Sequence, residues 1–239
     1  MSALTHEEEN RYRRQLIIPE VGAAGQEKLQ KAHILVVGAG GLGSPVLMYL
    51  AAAGIGTIGI VDNDEVRTGN LHRQILYATE DVTRLKVEAA AERLSRLNPF
   101  VEVRQYPVRF DETNSLDLLR GYQVAVDCSD NYSTRYILDN ATSAAGIPMV
   151  YGAVSQFMGQ LSVFNYRVGP SYRNLYPEEM HAVSDAGPSE LGVIGPLPGI
   201  MGSYQACEVI KIITGAGDVL SGRLLQIDAL NMRSEIISL

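Results

Sequence analysis

The stretch ILVVGAGGLGS, residues 34–44, decides the fold of this 239-residue chain. Its first four residues are apolar and predict a short buried strand, and Gly38, Gly40 and Gly43 follow with the G-x-G-x-x-G spacing of a nucleotide-binding turn. Such glycines allow a tight turn and let backbone N–H groups approach a phosphate. The sequences LGSPVLMYLAAAG and TIGIVD then predict a helix that ends at Gly54 and a second buried strand, which completes a βαβ unit.

Strands and helices continue to alternate after this unit. The order predicts an α/β fold with a doubly wound, Rossmann-like, mostly parallel sheet. The last two strands have no helix between them, so we expect antiparallel C-terminal strands to extend the sheet. The predicted helices lie at 82–97, 131–146 and 198–214, and the further strands at 101–108, 122–128, 147–154, 159–166, 222–229 and 233–239.

The length suits one domain with a single core, and we expect residues 1–239 to form it. Two short polar helices at 1–31 are expected outside the core. Residues 32–152 would form the nucleotide-binding half. Residues 153–239 would form the antiparallel half, including a crossover loop at about 168–195 that is rich in Gly, Pro and Ser.

Composition argues against several classes of protein. The net charge is −7 at pH 7 and Lys and Arg are dispersed, whereas a nucleic-acid-binding surface needs clustered cations. The N-terminal segment is polar and acidic, without the apolar core of a secretory signal, and no apolar stretch approaches the ~20 residues of a membrane span. We therefore expect a cytoplasmic protein that binds neither nucleic acid nor membrane.

Asp62 ends the second strand, 19 residues after Gly43, where an acid that binds a ribose belongs. Gly41 and Asp64 stand beside these positions and are further candidates for binding the nucleotide. NAD and ATP both carry an adenosine and a phosphate chain. These residues alone therefore fit either ligand.

Four polar residues after the acid favour ATP. A triphosphate undergoing displacement needs cations that stabilise developing charge, whereas the pyrophosphate of NAD needs little beyond the glycine turn. Any one Arg or Lys is as readily a solvated surface residue, but the set is harder to explain that way. Its members are Asn70, Arg73, Gln74 and Lys86.

The strand at 122–128 leads into Asp127-Cys128-Ser129-Asp130. Doubly wound sheets bind ligands at the carboxyl ends of their strands, and Mg²⁺ binds through one or two carboxylates plus substrate phosphates. Asp130 is therefore a candidate Mg²⁺ ligand. Ser129 or Asp130 could equally cap a helix that opens at Asn131, which does not exclude metal binding. Asn131 is also a candidate for binding the nucleotide.

With these residues together, the sequence resembles the ubiquitin-activating (E1-like) superfamily, in the bacterial branch that includes the adenylyltransferases ThiF, MoeB and HesA. The resemblance covers nearly the whole chain. Its motifs are RYRRQ at 11–15, GAGGLGSPV at 38–46, IGIVDNDEV at 58–66, NLHRQ at 70–74, DCSDNYSTRY at 127–136 and GVIGPLPGIMGSYQACEVIK at 192–211.

The resemblance implies ATP-dependent adenylation of the C-terminal glycine of a small ubiquitin-like sulfur-carrier protein ending in Gly-Gly, which gives an acyl adenylate and pyrophosphate. Such carriers serve the synthesis of sulfur-containing cofactors or metabolites. The resemblance further implies that Asp62 binds the ribose, that Asp130 holds Mg²⁺ and that the second half binds the carrier. It also implies a homodimer in which Arg14 reaches the partner subunit's ATP. The implied catalytic residues are Arg14, Arg73, Lys86 and Asp130.

The sequence departs from this family at two places. Ser171 and Asn174 stand where many relatives carry the first of two C-x-x-C pairs, so zinc is predicted absent. Pro188 stands about where some relatives carry a reactive cysteine. Cys128 and Cys207 are expected to be small buried side chains, so the reaction would stop at the acyl adenylate and a separate donor would supply sulfur.

Two other interpretations remain at this point. One is an NAD-dependent Rossmann oxidoreductase, and the other is an E1-like subunit that binds a partner without catalysis. His72 and His181 are candidates for proton transfer by residue type alone. We expect His72, inside NLHRQ, to position a loop.

Overall fold

A computed structural model describes residues 4–177 and 192–239. The helices are α1 (His6–Leu16), α2 (Gly22–Gln30), α3 (Gly43–Ala53), α4 (Lys86–Leu97), α5 (Ser115–Leu119), α6 (Tyr132–Ala145), α7 (Tyr172–Leu175) and α8 (Pro196–Thr214). The strands are β1 (His33–Val37), β2 (Thr57–Val61), β3 (Glu102–Tyr106), β4 (Val124–Asp127), β5 (Met149–Ser155), β6 (Met158–Phe164), β7 (Arg223–Asp228) and β8 (Arg233–Ser238).

These strands form one sheet in the order β3-β2-β1-β4-β5-β6-β7-β8. Neighbours from β3 to β5 are parallel, and β6, β7 and β8 are added antiparallel. The mostly parallel fold with antiparallel C-terminal strands is therefore confirmed. Strands β2 and β3 lie on one side of β1, and β4 and β5 lie on the other, so the order of the strands reverses at β1. A ligand-binding crevice is expected at this switch point, between the carboxyl ends of β1 and β4.

The sheet is buried on both faces. Along β1, Ile34 and Val36 belong to one apolar cluster and Leu35 and Val37 to the other, as the two-residue period of a strand requires. The first cluster packs against α3, α4 and α8, and the second against α6 and α7. Because all four residues are apolar, β1 reads as a continuous apolar run, which is typical of a central parallel strand.

The expectation that the N-terminal helices lie outside the core is wrong. Tyr12 of α1 is 2% exposed and Leu29 of α2 is 1% exposed. The Tyr12 hydroxyl accepts a hydrogen bond from Asn98 Nδ2 at 2.8 Å, and α2 packs against α8. A few anchoring side chains in an otherwise polar helix are enough to bury its inner face, and average polarity does not reveal them.

Two predicted helix starts differ from the structure, and two short helices were not predicted. Helix α4 begins at Lys86 rather than at residue 82, because Thr83 has φ 77° and interrupts any helix before it. Helix α6 begins at Tyr132, and its cap is Asn131, whose side chain accepts from the Thr134 N–H, rather than Ser129 or Asp130. Short helices α5 and α7 lie where no helix was predicted.

The cysteines differ from each other. Cys128 is buried as expected, but Cys207 is exposed on α8, so the prediction that both are buried is wrong. An apolar helix packed on one side still presents another face outward. His181 and Pro188 lie outside the described residues. No helix in the part of the chain that the structure describes has the length and apolar character needed to cross a bilayer.

Candidate active site

The glycine turn joins β1 to α3 at the crevice. Gly38 has φ 98°, a left-handed conformation that favours glycine, and its own carbonyl leaves no space for a side chain at Gly43. Gly40 is different, because a Cβ there would meet only Gln74 Nε2, at 3.6 Å. Gly38 and Gly43 therefore shape the turn, and Gly40 leaves its surface open.

Asp62 lies directly after β2 and braces the turn. Its Oδ2 accepts from the Ala39 N–H at 2.7 Å, and its Oδ1 accepts from the Asp64 N–H at 2.8 Å. Burial raises the pKa of the Asp62 carboxyl, and the nearby Lys86 ammonium lowers it in part. Tyr77 holds the other side of the turn by donating from its hydroxyl to the Ala39 carbonyl at 2.8 Å.

Lys86 is the first residue of α4 and is 5% exposed. Its Nζ lies 2.8 Å from Asp64 Oδ2 and 3.9 Å from Asp62 Oδ2. The Asp64 side chain is 59% exposed, so it can move aside without breaking buried packing. A bound phosphate could therefore replace Asp64 as the partner of the Lys86 ammonium.

Arg73 and Gln74 come from the loop between β2 and α4. Gln74 is 4% exposed, and its Oε1 is buried without a hydrogen-bond partner among the described residues. An unpartnered buried amide oxygen is costly, which points to a donor supplied by solvent or a ligand. Arg73 is partly buried, and its Nη1 donates to the Gly69 carbonyl at 3.2 Å.

The two aspartates after β4 have different surroundings. Asp127 is fully buried, where its Oδ1 accepts from the Ser129 hydroxyl at 2.6 Å and its Oδ2 lies 3.4 Å from Arg135 Nε. Burial raises the pKa of the Asp127 carboxyl, and Arg135 lowers it in part. Asp130 is exposed at the crevice. Of the two, Asp130 is the carboxylate that can meet a ligand.

One cavity of about 690 Å³ gathers most of the predicted site residues. Its walls come from the glycine turn, the end of β2, the loop before α4, the start of α4 and the loop after β4. The predicted residues that line it are Gly38, Gly40, Gly41, Asp62, Asp64, Arg73, Gln74, Lys86, Asp130 and Asn131.

Three predicted residues are absent from the described cavity wall. Gly43 lies behind the turn, and the Asn70 carbonyl accepts from the N–H groups of Arg73 and Gln74, which places it in the loop that carries them. Arg14 is exposed on α1. Within residues 4–177 and 192–239, Arg14 does not line the cavity that it was predicted to serve.

Other lining residues were not predicted. Val108, Arg109 and Phe110 follow β3, and their signal is their place after a strand whose carboxyl end faces the crevice. Arg135 sits one turn into α6. The antiparallel half contributes Val154, Gly192, Val193 and Pro198, which are distant in sequence. The last three belong to the motif at 192–211, but none of them was assigned to the site.

Comparison with known proteins gives consistent matches. Residues 12–239 match the ThiF family. The chain is 48% identical over 231 residues to a sulfur carrier protein adenylyltransferase of Thermus thermophilus, covering 95% of this chain and 85% of that protein. It is 44% identical over 242 residues to the probable adenylyltransferase/sulfurtransferase MoeZ of Mycobacterium tuberculosis, covering 100% of this chain and 62% of that protein.

Solved structures show the same fold. The crystal structure of E. coli MccB with ATP matches with a TM-score of 0.84 at 22% sequence identity. The match covers 96% of this chain and 71% of the MccB chain. At this identity the likeness concerns the arrangement of strands and helices.

Proposed function

Because the chain belongs to the ThiF family, we propose that it uses ATP to adenylate the C-terminal glycine of a small ubiquitin-like sulfur-carrier protein. The products are the carrier's acyl adenylate and pyrophosphate. The observation that carries the proposal is the joint placement of Arg73, Lys86 and Asp130 around an open glycine turn in one cavity. A hydride-transferring site needs no such collection of phosphate-facing charges.

The chemistry fits a site without a general base. The carrier's terminal carboxylate is already ionised at neutral pH, so its oxygen can attack the α-phosphorus directly. The bond between the α-phosphorus and the bridging oxygen to the β-phosphate breaks, and pyrophosphate leaves with the electron pair. The protein's task is to align the two reactants and to stabilise the charge that develops on the phosphates.

Each proposed role rests on a position in the cavity. Asp62 accepts hydrogen bonds from the ribose, and the turn at Gly38, Gly40 and Gly41 lets the backbone approach the phosphates. Arg73 and Lys86 supply positive charge. Gln74 offers its unpartnered amide oxygen at the cavity wall. Asp64 and Asn131 flank the phosphates from the two strand ends.

Mg²⁺ would enter with ATP and screen the charge of its phosphates. No group of three or more His, Cys, Asp or Glu side chains that could hold a metal is found within residues 4–177 and 192–239. One exposed carboxylate, Asp130, nevertheless fits a Mg²⁺ ion that takes most of its ligands from phosphate and water. We therefore assign Asp130 as the protein ligand.

A homodimer would complete the site. Arg14 is exposed on α1 and would reach the partner subunit's cavity. Exposed apolar side chains support a second copy as the occupant of this face: Tyr49 on α3 is 56% exposed, and Ile200 and Tyr204 on α8 are 41% and 46% exposed. Helices α3 and α8 pack against each other, so these side chains lie on neighbouring elements.

The carrier's tail would enter beside the antiparallel half. Val154, Gly192 and Val193 form the part of the cavity wall contributed by this half. Cys128 is buried, and burial together with Asp127 raises the pKa of its thiol, which makes it a poor nucleophile. Cys207 is exposed on α8 but does not line the described cavity, so sulfur would come from a separate donor.

The test is pyrophosphate exchange into ATP. We expect exchange that requires a carrier ending in Gly-Gly and stops when the terminal glycine is deleted. Asp130→Ala should remove exchange without lowering the melting temperature, since Asp130 is exposed and the side-chain hydrogen bond that it accepts from Asn131 among the described residues is long at 3.4 Å. Tight NAD binding without exchange would favour the oxidoreductase, and ATP binding without turnover would favour the non-catalytic subunit.

A further inference from the structure

We propose that His72 is a positioning residue whose neutral imidazole holds Arg73 toward the phosphates. The inference rests on the proposed function for the identity of the ligand. It rests on the structure for the pairing itself, because Arg73 Nη1 lies 2.9 Å from His72 Nε2.

The direction of this hydrogen bond follows from chemistry. A guanidinium carries five N–H donors and no acceptor, so the bond requires Nε2 of His72 to be the acceptor. The imidazole is then neutral and carries its proton on Nδ1. The contact therefore fixes both the charge and the tautomer of His72.

The same contact decides which donors Arg73 can offer. Nη1 of Arg73 donates one hydrogen bond to His72 Nε2 and one to the Gly69 carbonyl. These two bonds use both N–H groups of Nη1. Nη2 and Nε have no acceptor among the residues that the structure describes, and Arg73 lines the cavity. His72 and Gly69 thus bind the Nη1 edge of the Arg73 guanidinium and leave the Nη2 and Nε edge available to an anion.

The backbone at His72 is closely packed, whereas the residue as a whole is exposed. Gly195, the residue before α8, lies against His72 so closely that a Cβ there would be 2.5 Å from the His72 carbonyl oxygen and 3.7 Å from Nδ1. The segment 192–200 carries no titratable side chain. Among the described residues, Arg73 is the charged group that contacts the ring. The other charged groups on the described cavity wall are Asp62, Asp64, Lys86, Arg109, Asp130 and Arg135.

Protonation of His72 would replace its attraction to Arg73 with repulsion. An imidazolium cannot accept a hydrogen bond, and two cations 2.9 Å apart repel each other. A doubly protonated ring would therefore not hold Arg73 in this orientation, so the neutral ring is the form that positions the guanidinium.

The binding experiment measures the Kd of ATP and of inorganic tripolyphosphate at pH 8. His72→Leu removes the acceptor and should raise both Kd values about tenfold, the loss expected for one hydrogen bond to a charged group. His72→Gln places an amide oxygen near the position of Nε2, so its Kd values should stay within about threefold of the wild type. His33→Gln, at the opposite end of β1 from the turn, is the matched control and should keep the wild-type Kd values.

A second readout is independent of ligand. ¹⁵N NMR of the His72 ring should show the Nδ1–H tautomer at pH 8, and Arg73→Met should shift it toward a mixture of tautomers. An Nε2–H ring in the wild type, or unchanged Kd values in His72→Leu, overturns the proposal. Tripolyphosphate binding that is weakened in His72→Leu and kept in His72→Gln, without ATP binding, would support the pairing and overturn the proposed function instead.

Discussion

Arg135 is a buried residue that supports the loop carrying Asp130. It is 2% exposed, its Nε faces Asp127 Oδ2 at 3.4 Å, and its Nη2 donates to the Ser129 carbonyl at 3.1 Å. The loop that presents Asp130 is therefore tied to a buried ion pair. Removing one member of such a pair leaves an uncompensated buried charge.

We expect Arg135→Met to lower the free energy of unfolding by about 3 kcal/mol at pH 8, and the double variant with Asp127→Asn to recover part of it. Burial raises the folded-state pKa of Asp127, so ionisation costs folding energy that is absent below the unfolded pKa of about 3.9 and grows as pH rises through the folded value. Without Arg135 this cost increases. The destabilisation, measured by urea unfolding, should therefore shrink as pH falls toward the unfolded pKa of about 3.9; a loss independent of pH would contradict the assignment.

The site residues that sequence predicts best are those next to strand ends in the first half. Asp62, Lys86 and Asp130 each follow or begin a regular element, so their convergence at the crevice follows from a parallel sheet. Arg135 and Val193 escaped prediction for different reasons. Arg135 looks like an ordinary helical residue, and Val193 reaches the cavity only through long-range packing of the antiparallel half.

At the scale of elements, the glycine turn separates packing from ligand approach. A Cβ at Gly43 would overlap the Gly38 carbonyl, whereas a Cβ at Gly40 would meet only Gln74 Nε2 at ordinary van der Waals distance. The sequence motif alone does not distinguish the role of Gly40 from that of Gly43. Only the positions of neighbouring atoms distinguish them.

Gly43→Ala should therefore lower the free energy of unfolding by more than about 2 kcal/mol, because the turn or α3 must shift. Gly40→Ala should stay within about 0.5 kcal/mol of the wild type yet bind ATP at least tenfold more weakly, since its methyl group faces the cavity. Urea unfolding and ATP titration of both variants test this. Equal loss of stability in the two, or unchanged ATP affinity in Gly40→Ala, would refute the division of roles.

Secondary-structure elements were predicted well where the apolar pattern was strong. They were predicted poorly where one or two residues determined the start or the burial of a helix. The apolar run of β1 and the alternating β7 and β8 lie within about two residues of their predicted ends. The start of α4 was missed because Thr83 adopts a left-handed conformation that its type does not indicate. The burial of α1 was missed because its inner face is anchored by only two buried side chains, Glu8 and Tyr12, in an otherwise polar helix.

At the scale of the whole molecule, the single chain leaves one proposed catalytic residue unused. Arg14 is exposed and does not line the described cavity, whereas Arg73, Lys86 and Asp130 do. If Arg14 serves the partner subunit, each active site of a twofold dimer combines one chain's Asp130 with the other chain's Arg14. That arrangement can be tested without knowing the geometry of the interface.

Arg14→Ala and Asp130→Ala should each abolish carrier-dependent pyrophosphate release, and mixing them should restore it. In a mixed dimer, the site on the Arg14→Ala subunit keeps its own Asp130 and receives an intact arginine from its partner. Equal mixing and random assembly give half mixed dimers with one working site of two, so activity should return to about a quarter of the wild type. Lys86→Ala mixed with Asp130→Ala is the matched control: both lesions affect a subunit's own cavity, so no activity should return. Failure of the first mixture, with mixed dimers verified by mass, would place Arg14 outside the partner's site.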